Sequence, residues 1–415
     1  MRRGLLFLPL LSLLFFSCAK KETRLVLWTN NVDFVSCAEL FNASQDKIKL
    51  VAYYKKSPVQ ELFGLPSAGR PDLLAGSYLH DGIEQKIFLR LDSLTKKNGP
   101  LKPETFYETL LNAGRKNDKQ YLLPVSYNLP ALVFYSGNYE RLQNVSMLSF
   151  EDIKEISKKF NAKNSAGVWT AMGYGPLWSS EFLYLLFKDR GVYFNVGPKS
   201  ISYTENVFSK SVDYVKEWVQ DVNEGVKNER DFAFKYLYMP FYNQAQNGRC
   251  LFSFASSRDI LTLPDDVIRN LDFRWICNDN KIQIEDDIVN VGIYSKSKEK
   301  AAAKKFIVWL LSENTQRKIL DRKFKMNMQN DSFGIAGGFS SLKNSTERVF
   351  PLYYRAMISN TPVAERLAAP QAFPSNWAKI KEQVVQPYIL DSCAGDAKIK
   401  NISQRYEDFL ASEGK

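Results

Sequence analysis

The histidine content of this 415-residue chain limits the catalytic chemistry that it could carry. His80 is the single histidine, and the motifs H-E-x-x-H, G-x-S-x-G and G-x-x-x-x-G-K do not occur, so zinc-hydrolase, serine-hydrolase and P-loop chemistry lack their groups. Asp265 with Asp266, and Asp286 with Asp287, have the residue types of glycosidase carboxylates. Both pairs fall in predicted polar loops, which favours solvated turn acids, and a capping or surface role is expected for His80. The sequence therefore predicts a non-enzymatic protein with no catalytic residue, no metal and no cofactor.

Other residues have the chemistry of non-covalent binding. They are aromatic or small polar side chains that follow predicted strand ends or stand at helix starts, and open α/β sheets bind ligands beyond the carboxyl ends of their strands. The candidate ligand-binding residues are Trp28, Asn30, Asn31, Asp33, Ser77, Tyr127, Asn128, Tyr174, Trp178, Ser256, Ser257, Asn290 and Trp377.

Several of these candidates have a structural alternative that the sequence leaves open. Trp28 ends a buried run and fits the core as well as a site. Asp33 could cap a helix N-terminus, and Ser256 and Ser257 could do the same. The remaining tryptophans lie within predicted strands or on helix faces and are expected in the core: Trp169, Trp218, Trp275 and Trp309.

The elements that must position these residues alternate between strand and helix. Residues 24–29 form a compact apolar strand, a helix begins at Asp33, and strands follow at 48–54 and 71–77. This alternation predicts an α/β fold with mainly parallel sheets. Further along, Ser149 and Asp152 resemble a capping box, and residues 204–223 form the clearest amphipathic helix.

The N-terminus has the layout of a secretory signal peptide, with a cationic start and a short apolar run that ends at Ser17 and Cys18. The cysteine at the cut site resembles a bacterial lipoprotein signal, in which residues 1–17 are removed and Cys18 is acylated. An ordinary signal peptide with a coincidental cysteine, or an uncleaved anchor, fits the same residues. We expect an exported protein with a tether at 18–23 and a lipid anchor, facing the periplasm or the extracellular space.

The net charge limits the classes of binding partner, and the cysteine spacing limits the possible metal and redox sites. Removal of Arg2 and Arg3 with the leader lowers the net charge from +11 by two, to +9. The basic residues are spread along the chain, which favours an anionic membrane surface or a solvated coat over nucleic acid. Cys37, Cys250, Cys277 and Cys393 fit no zinc or redox spacing and are expected as buried free thiols; Cys250 with Cys277 is the pair to test for a disulfide.

A series of short motifs, in this order, resembles the bacterial extracellular solute-binding proteins of ABC importers, in the carbohydrate-binding branch related to maltose-binding protein. Each motif alone is weak, and their shared order over about residues 24–411 carries the resemblance. Ser136 departs from the asparagine usual in the family. The motifs are LVLWT at 25–29, AELFN at 38–42, IKLV at 48–51, RPDLL at 70–74, FLRLD at 88–92, YLLP at 121–124, FY at 134–135, NGRCLF at 247–252, KAAAKKFIVWLLS at 300–312 and Trp377.

The resemblance implies a type II periplasmic-binding-protein fold with two α/β lobes, each a mainly parallel sheet flanked by helices, and a cleft at the hinge. The expected lobes are residues 24–128 with about 251–312, and about 129–250 with 313–415. It further implies a monomer that closes on a sugar and docks on permease subunits. The candidate residues suit a sugar, since aromatic faces cover the C–H side of its ring and polar groups pair with its hydroxyls.

Three alternative functions are compatible with this sequence. The same fold could bind an anionic or other non-sugar solute, which the basic charge permits. A glycan-degrading enzyme would need a catalytic pattern that the sequence lacks. A structural or adhesive lipoprotein could keep the fold without transport.

Overall fold

The computed structural model describes residues 22–63, 69–142, 147–395 and 399–413. The predicted signal peptide, Cys18 and most of the tether lie outside these residues, so the lipid anchor stays a prediction. Within the described ranges, no helix has both the length and the apolar composition needed to cross a bilayer.

Most strands are short, and the longest strands belong to the two main sheets. They are β1 (Thr23–Thr29), β2 (Ile48–Tyr54), β3 (Leu73–Gly76), β4 (Arg115–Lys116), β5 (Lys119–Gln120), β6 (Leu123–Tyr127), β7 (Pro130–Tyr135), β8 (Met147–Leu148), β9 (Ala162–Lys163), β10 (Trp169–Ala171), β11 (Phe194–Val196), β12 (Ile201–Tyr203), β13 (Ser253–Ser256), β14 (Leu271–Asn278), β15 (Lys281–Ile282), β16 (Val289–Ile293) and β17 (Phe339–Ser340).

Helices flank both sheets. They are α1 (Asp33–Ser44), α2 (Pro58–Phe63), α3 (Asp81–Glu84), α4 (Asp92–Thr95), α5 (Glu108–Ala113), α6 (Phe150–Phe160), α7 (Ser180–Asp189), α8 (Glu205–Asn223), α9 (Val226–Tyr236), α10 (Phe241–Gln246), α11 (Ser257–Ile260), α12 (Asp265–Ile268), α13 (Lys300–Leu310), α14 (Glu313–Lys325), α15 (Trp377–Ile380), α16 (Gln386–Ala394) and α17 (Ile402–Glu413). A π-helical turn at Lys381–Val385 joins α15 to α16.

The two sheets confirm the α/β class but correct the predicted strand pairing. The first sheet has the order β17-β6-β16-β3-β1-β2, and in the second β13-β7-β14-β15 is joined by β8. Only β1 with β2, β1 with β3, and β14 with β8 are parallel pairs in these sheets. The prediction of mainly parallel sheets was wrong because most neighbouring strands run antiparallel: β16 to both of its neighbours in the first sheet, and β7 to both of its neighbours in the second.

Local sequence explains two of the best-predicted helices. The Ser149 hydroxyl accepts the Asp152 N–H while the Asp152 carboxylate accepts the Ser149 N–H, so the expected capping box starts α6. In α8 the buried residues Phe208, Val215 and Trp218 recur at helical spacing, which gives the helix one apolar face.

Strand β7 ties the two cores together. Its residues Ala131 and Val133 belong to the core that packs the first sheet and one face of the second, whereas Leu132 and Phe134 belong to the core on the other face of the second sheet. Successive side chains of a strand point to opposite faces, so one strand serves both cores. We call the first sheet with its helices the first lobe, and the second sheet with its helices the second lobe.

The chain passes between the lobes at three places: residues 128–129, residues 283–288, and the stretch between β17 and α15. This path differs from the predicted lobe boundaries. Strands β13 and β14 lie on either side of β7 in the second sheet, although residues 251–312 were expected in the first lobe. Strand β17 pairs with β6 in the first sheet, although 313–415 was expected in the second lobe. Pairing with β7 places β13 and β14 in the second sheet, and pairing with β6 places β17 in the first. The apolar pattern of a strand predicts which face is buried, but it does not predict which strand it pairs with.

The cysteines behave as expected. Cys37, Cys250, Cys277 and Cys393 are all buried and free. They act as small apolar groups in the packing.

Candidate functional site

A cavity of about 340 Å³ opens where the chain passes between the lobes. Its wall combines the ends of β7 and β13, part of α7, and the crossing segment 283–288. Eight of its sixteen lining residues carry a charged side-chain type, and the others are mainly aromatic or aliphatic. The lining residues are Tyr78, Pro130, Glu181, Tyr184, Leu185, Lys188, Phe254, Ala255, Ser256, Arg258, Asp259, Ile284, Glu285, Asp286, Asp287 and Lys381.

Asp286 is the centre of a buried hydrogen-bond network. Its side chain is 2% exposed. The Tyr184 hydroxyl donates to Oδ2 at 2.7 Å, the Trp377 Nε1–H donates to Oδ2 at 2.8 Å, and the Lys188 ammonium donates to Oδ1 at 2.7 Å. Burial alone would raise the pKa of Asp286, but the charges of Lys188 and then Lys381 hold it below its ordinary value. Asp286 is therefore an ionised carboxylate, and the sequence-based interpretation of a solvated turn acid was wrong here.

Lys188 fixes helix α7 to the crossing segment. Tyr184 and Lys188 are four residues apart, so they share one face of the helix. Besides the Asp286 carboxylate, the Lys188 ammonium donates to the Ile284 carbonyl oxygen at 2.9 Å. A buried ammonium with two such partners holds the second lobe against the crossing segment.

Two further ion pairs line the cavity. Arg258 donates to the Asp287 carboxylate, and Lys381 donates to Glu181 at 3.0 Å. Each cation in the wall thus already has a carboxylate.

Glu285 links the two short crossings. Its backbone N–H donates to the Asn128 carbonyl oxygen at 3.0 Å, and its carboxyl group accepts the Ser256 hydroxyl at 3.0 Å. Burial, and then the charge of Asp287, raise the pKa of the Glu285 carboxyl to about 8. The group is therefore largely protonated at neutral pH.

Tyr78 brings the first lobe to the cavity. It follows β3 with a φ of 59°, a left-handed conformation that is unusual for a bulky residue and clusters at functional sites. The preceding Ser77 donates its hydroxyl to the Asp287 carbonyl oxygen at 2.7 Å. Tyr78 packs against the core of the second lobe, so it spans both lobes.

A second contact joins the lobes. The Asp81 carboxylate, at the start of α3, accepts the Ser375 N–H at 3.2 Å and the Ser375 hydroxyl at 2.6 Å. Ser375 precedes α15 of the second lobe, so this contact links the two lobes.

The family model for bacterial extracellular solute-binding proteins matches residues 65–317, which is more than half of the chain. The chain belongs to that family. No curated protein matches it significantly.

Solved structures of the same fold align over nearly the whole chain. An ABC substrate-binding protein from Listeria monocytogenes, in complex with cycloalternan, is 13% identical with a TM-score of 0.60 and covers 95% of this chain and 99% of its own. A Rhizobium etli sugar transporter protein in an open conformation is 12% identical with a TM-score of 0.64 and covers 94% and 99%. A galacto-N-biose-/lacto-N-biose I-binding protein of a Bifidobacterium longum ABC transporter is 12% identical with a TM-score of 0.58 and covers 95% and 96%. This structural similarity over nearly the whole chain shows that the protein shares their two-lobed fold.

Among the predicted site residues of the first lobe, most brace loops in this solute-binding fold. Trp28 is buried in the first lobe beneath the Lys55 ammonium, 5.0 Å from the ring centroid. Asn30 accepts the Ser77 N–H at 3.1 Å and donates to the Ser77 carbonyl at 3.2 Å, so this pair fixes the loop that presents Tyr78. Asn31 donates to the Ala336 carbonyl oxygen at 2.8 Å.

Asp33 is the first residue of α1, but the capping alternative was wrong, because Val32 is the N-cap residue and no side-chain cap hydrogen bond forms there. The Asp33 carboxylate instead accepts the Lys323 ammonium at 3.3 Å and the Ser332 hydroxyl at 2.6 Å. This buried pair fastens α1 to α14.

The predicted residues near the crossings fall into three groups. Ser256 lines the cavity and binds Glu285. Ser257 donates to the Asn128 amide oxygen at 2.8 Å and accepts the Leu129 N–H at 3.1 Å, which stabilises the first crossing. Tyr127 and Asn290 are buried in the first lobe.

The predicted aromatic residues of the second lobe lie inside it. Tyr174 is buried, and Trp178 is stacked on Phe232 with ring centroids 5.6 Å apart. The Trp178 Nε1–H donates to the Glu229 carbonyl oxygen at 3.2 Å. Trp377 is fully buried but touches the cavity wall through Asp286.

His80 is partly buried, and its Nε2 lies 3.0 Å from the Ala113 carbonyl oxygen. This contact keeps it within the first lobe, in a structural role.

The cavity-lining side chains that the sequence did not nominate for the site include Lys188, Glu181, Tyr184, Glu285, Asp286 and Lys381. A signal existed for part of this set. The acidic run at 285–287 comes directly before a buried strand, so it sits at a strand start that returns to the first sheet. Lys188 and Lys381 gave no signal, since isolated lysines on helices are mostly solvated.

Glu229 predicts a pH-dependent stability. Its carboxyl accepts the Leu177 N–H at 3.1 Å and the Asn223 amide at 2.7 Å, and burial raises its pKa from about 4.5 to about 7. Because the folded pKa is the higher one, the proton stabilises the fold fully below about pH 4.5, and that stabilisation is lost as the pH rises through about 7. Between these values the wild type should lose on the order of 3 kcal/mol of unfolding free energy relative to Glu229→Gln. Urea unfolding at several pH values checks this, and parallel pH curves for the two proteins would contradict it.

Proposed function

We propose that this protein captures a sugar or small oligosaccharide outside the cytoplasm and delivers it to the membrane permease of an ABC importer. The observation that carries the proposal is the cavity between the lobes, which is rich in charged and aromatic side chains and whose wall both lobes supply. Solved structures of this fold hold cycloalternan, mannobiose and lacto-N-biose, which are carbohydrates.

The cavity chemistry supports a polyhydroxylated ligand. Tyr78, Tyr184 and Phe254 supply aromatic surface, and the charged wall supplies donors and acceptors. The volume of about 340 Å³ is near the lower end of the range of about 300–1,000 Å³ usual for ligand pockets. A ligand of one or two sugar rings suits this space.

Closure about the crossings is the proposed mechanism. The segments 128–129 and 283–288 are short and hydrogen-bonded to each other through Glu285, so they form a compact hinge. Hinges of a few residues can absorb the rotation of two rigid lobes. A ligand that contacts both lobes stabilises the closed state by its differential affinity for that state.

The anionic-solute alternative receives less support. Lys188, Arg258 and Lys381 are each paired with a carboxylate in the cavity wall. An anion would have to displace a carboxylate that is already in place.

Tryptophan fluorescence titration over a panel of sugars tests the proposal. Trp377 contacts the cavity wall through Asp286, so closure should change its emission. A panel of amino acids, polyamines and phosphorylated sugars serves as the comparison. No response to any neutral or amino sugar, with a response to another class, would reject the sugar assignment.

The proposed lipid anchor on Cys18 would keep the receptor near its permease. Stable anchoring needs more than one acyl chain, as lipoproteins carry. Mass spectrometry of the mature N-terminus checks the anchor, and an unmodified Cys18 thiol would leave an exported receptor without it.

Asp81→Ala should weaken ligand binding. The Asp81 contact with Ser375 forms between the lobes, so its loss favours the open state; we expect affinity to fall by about five-fold, the equivalent of roughly 1 kcal/mol. Isothermal titration calorimetry with the sugar found in the panel measures this loss of affinity.

Ser375→Ala is the matched control for this contact. It removes only the hydroxyl bond, so its effect should be smaller, and the double variant should bind no more weakly than Asp81→Ala alone. Additive losses would show that the two residues act separately.

A further inference from the structure

The cavity wall has more acids than bases. Three basic side chains face five carboxyl groups in it. The bases are Lys188, Arg258 and Lys381, and the acids are Glu181, Asp259, Glu285, Asp286 and Asp287.

Each of the three basic side chains forms a salt bridge with one of the carboxylates. Lys188 pairs with Asp286, Arg258 with Asp287, and Lys381 with Glu181. Within the described residues, no salt bridge reaches Glu285 or Asp259. Two carboxyl groups of the cavity are therefore left without a cation of their own.

Glu285 is the more deeply placed of these two. Its carboxyl group accepts one hydrogen bond, from the Ser256 hydroxyl. The charged and titratable groups that face it are Asp287 on its own segment, Arg258 from α11, Lys381 from the π-helical turn and Tyr78 from the first lobe. Burial and the neighbouring Asp287 favour its protonated form, which needs no cation while the cavity is empty.

We propose that the ligand carries a positively charged amino group, as an amino sugar does, and that this group binds against the Glu285 carboxylate. This inference rests on the proposed function of the cavity as the sugar site. An ammonium group supplies the cation that the wall lacks, and charge-assisted hydrogen bonds are among the strongest that proteins make.

Binding of this kind releases a proton. Before binding, Glu285 is a neutral acid and the ligand amine is an ammonium ion. After binding, the carboxylate and the ammonium ion face each other, and the carboxyl proton has gone to the buffer. A neutral sugar would instead accept a hydrogen bond from the protonated acid, and no proton would leave.

Calorimetry with matched disaccharides tests the proposal. The probes are the β-1,4-linked disaccharide of glucosamine, its di-N-acetylated form, and cellobiose. At about pH 6, where both the amine and the buried acid hold their protons, titration in two buffers of different ionisation enthalpy counts the protons released. We expect the amino form to bind at least about ten-fold more tightly than the acetylated form, with close to one proton released.

Glu285→Gln isolates the carboxyl group. It keeps the shape and the hydrogen bond to Ser256 but cannot ionise, so it should remove both the preference for the amine and the proton release. Glu229→Gln is the matched control: Glu229 is another buried acid, accepts hydrogen bonds from Leu177 and Asn223 in the second lobe, and does not line the cavity. It should leave both readouts unchanged.

The outcomes separate this inference from the proposed function. Tighter binding of cellobiose or of the acetylated disaccharide by the wild type, or amine binding without proton release, would overturn the inference and keep the sugar site. Failure of all three probes in a protein that binds a non-sugar solute would reject both. The comparison of the three disaccharides on the wild-type protein tests the inference even if Glu285→Gln does not fold.

Discussion

Asp286→Ala is expected to lower the free energy of unfolding by about 3–5 kcal/mol, because it leaves the buried Lys188 ammonium without its carboxylate. The same change also removes the acceptor of the Tyr184 hydroxyl and of the Trp377 indole N–H. Since these groups come from α7 and α15, the loss should loosen the second lobe against the hinge. Ligand affinity should fall together with stability, and urea unfolding and calorimetry measure the two effects.

Asp265→Ala is the matched control for Asp286→Ala. Asp265 also belongs to an Asp-Asp pair, but it is exposed at the start of α12. Its substitution should change stability by less than about 0.5 kcal/mol. The double variant Lys188→Met with Asp286→Leu should recover much of the loss, because no uncompensated charge remains. Equal effects of Asp286→Ala and Asp265→Ala would show that the network contributes nothing.

These two acidic pairs show how much of a carboxylate's environment the local sequence can predict. Asp265 with Asp266 and Asp286 with Asp287 have the same composition, and both pairs were expected as solvated turn acids. The first pair is solvated but opens helix α12, and in the second pair Asp286 is buried. Asp286 is buried because Lys188 and Trp377, distant in sequence, converge on it. Tertiary pairing of this kind leaves no local periodicity to detect.

Prediction succeeded where the signal is local. The capping box at Ser149 and the apolar face of α8 depend on residues a few positions apart, and both are present. Strand pairing is not local, so the sequence placed β13, β14 and β17 in the wrong sheets. The strand-end rule located the loops around the hinge, but it cannot say which side chain faces inward. At 256–257 the first serine lines the cavity and the second braces Asn128.

Trp377→Ala is the second large effect, with an expected loss of about 3–5 kcal/mol of stability. Trp377 is fully buried and stacked on Phe373, with ring centroids 4.2 Å apart and an interplanar angle of 12°. Removal of the indole opens a cavity beside Asp286 and leaves one carboxylate oxygen with a single donor. The sequence nominated Trp377 as a direct ligand contact, so the two roles predict different results.

Trp377→Phe separates these roles. It keeps an aromatic ring against Phe373 but loses the Nε1–H donor and part of the buried ring surface, so it should cost about 2 kcal/mol of stability, less than Trp377→Ala. Trp169→Ala, which removes a half-buried ring from β10, should cost less than Trp377→Ala. If Trp377 acts through Asp286, ligand affinity in Trp377→Phe should fall by only about two- to five-fold, in step with the weakened hydrogen bond. A loss of more than about a hundred-fold with unchanged stability would instead mean that the indole itself touches the ligand.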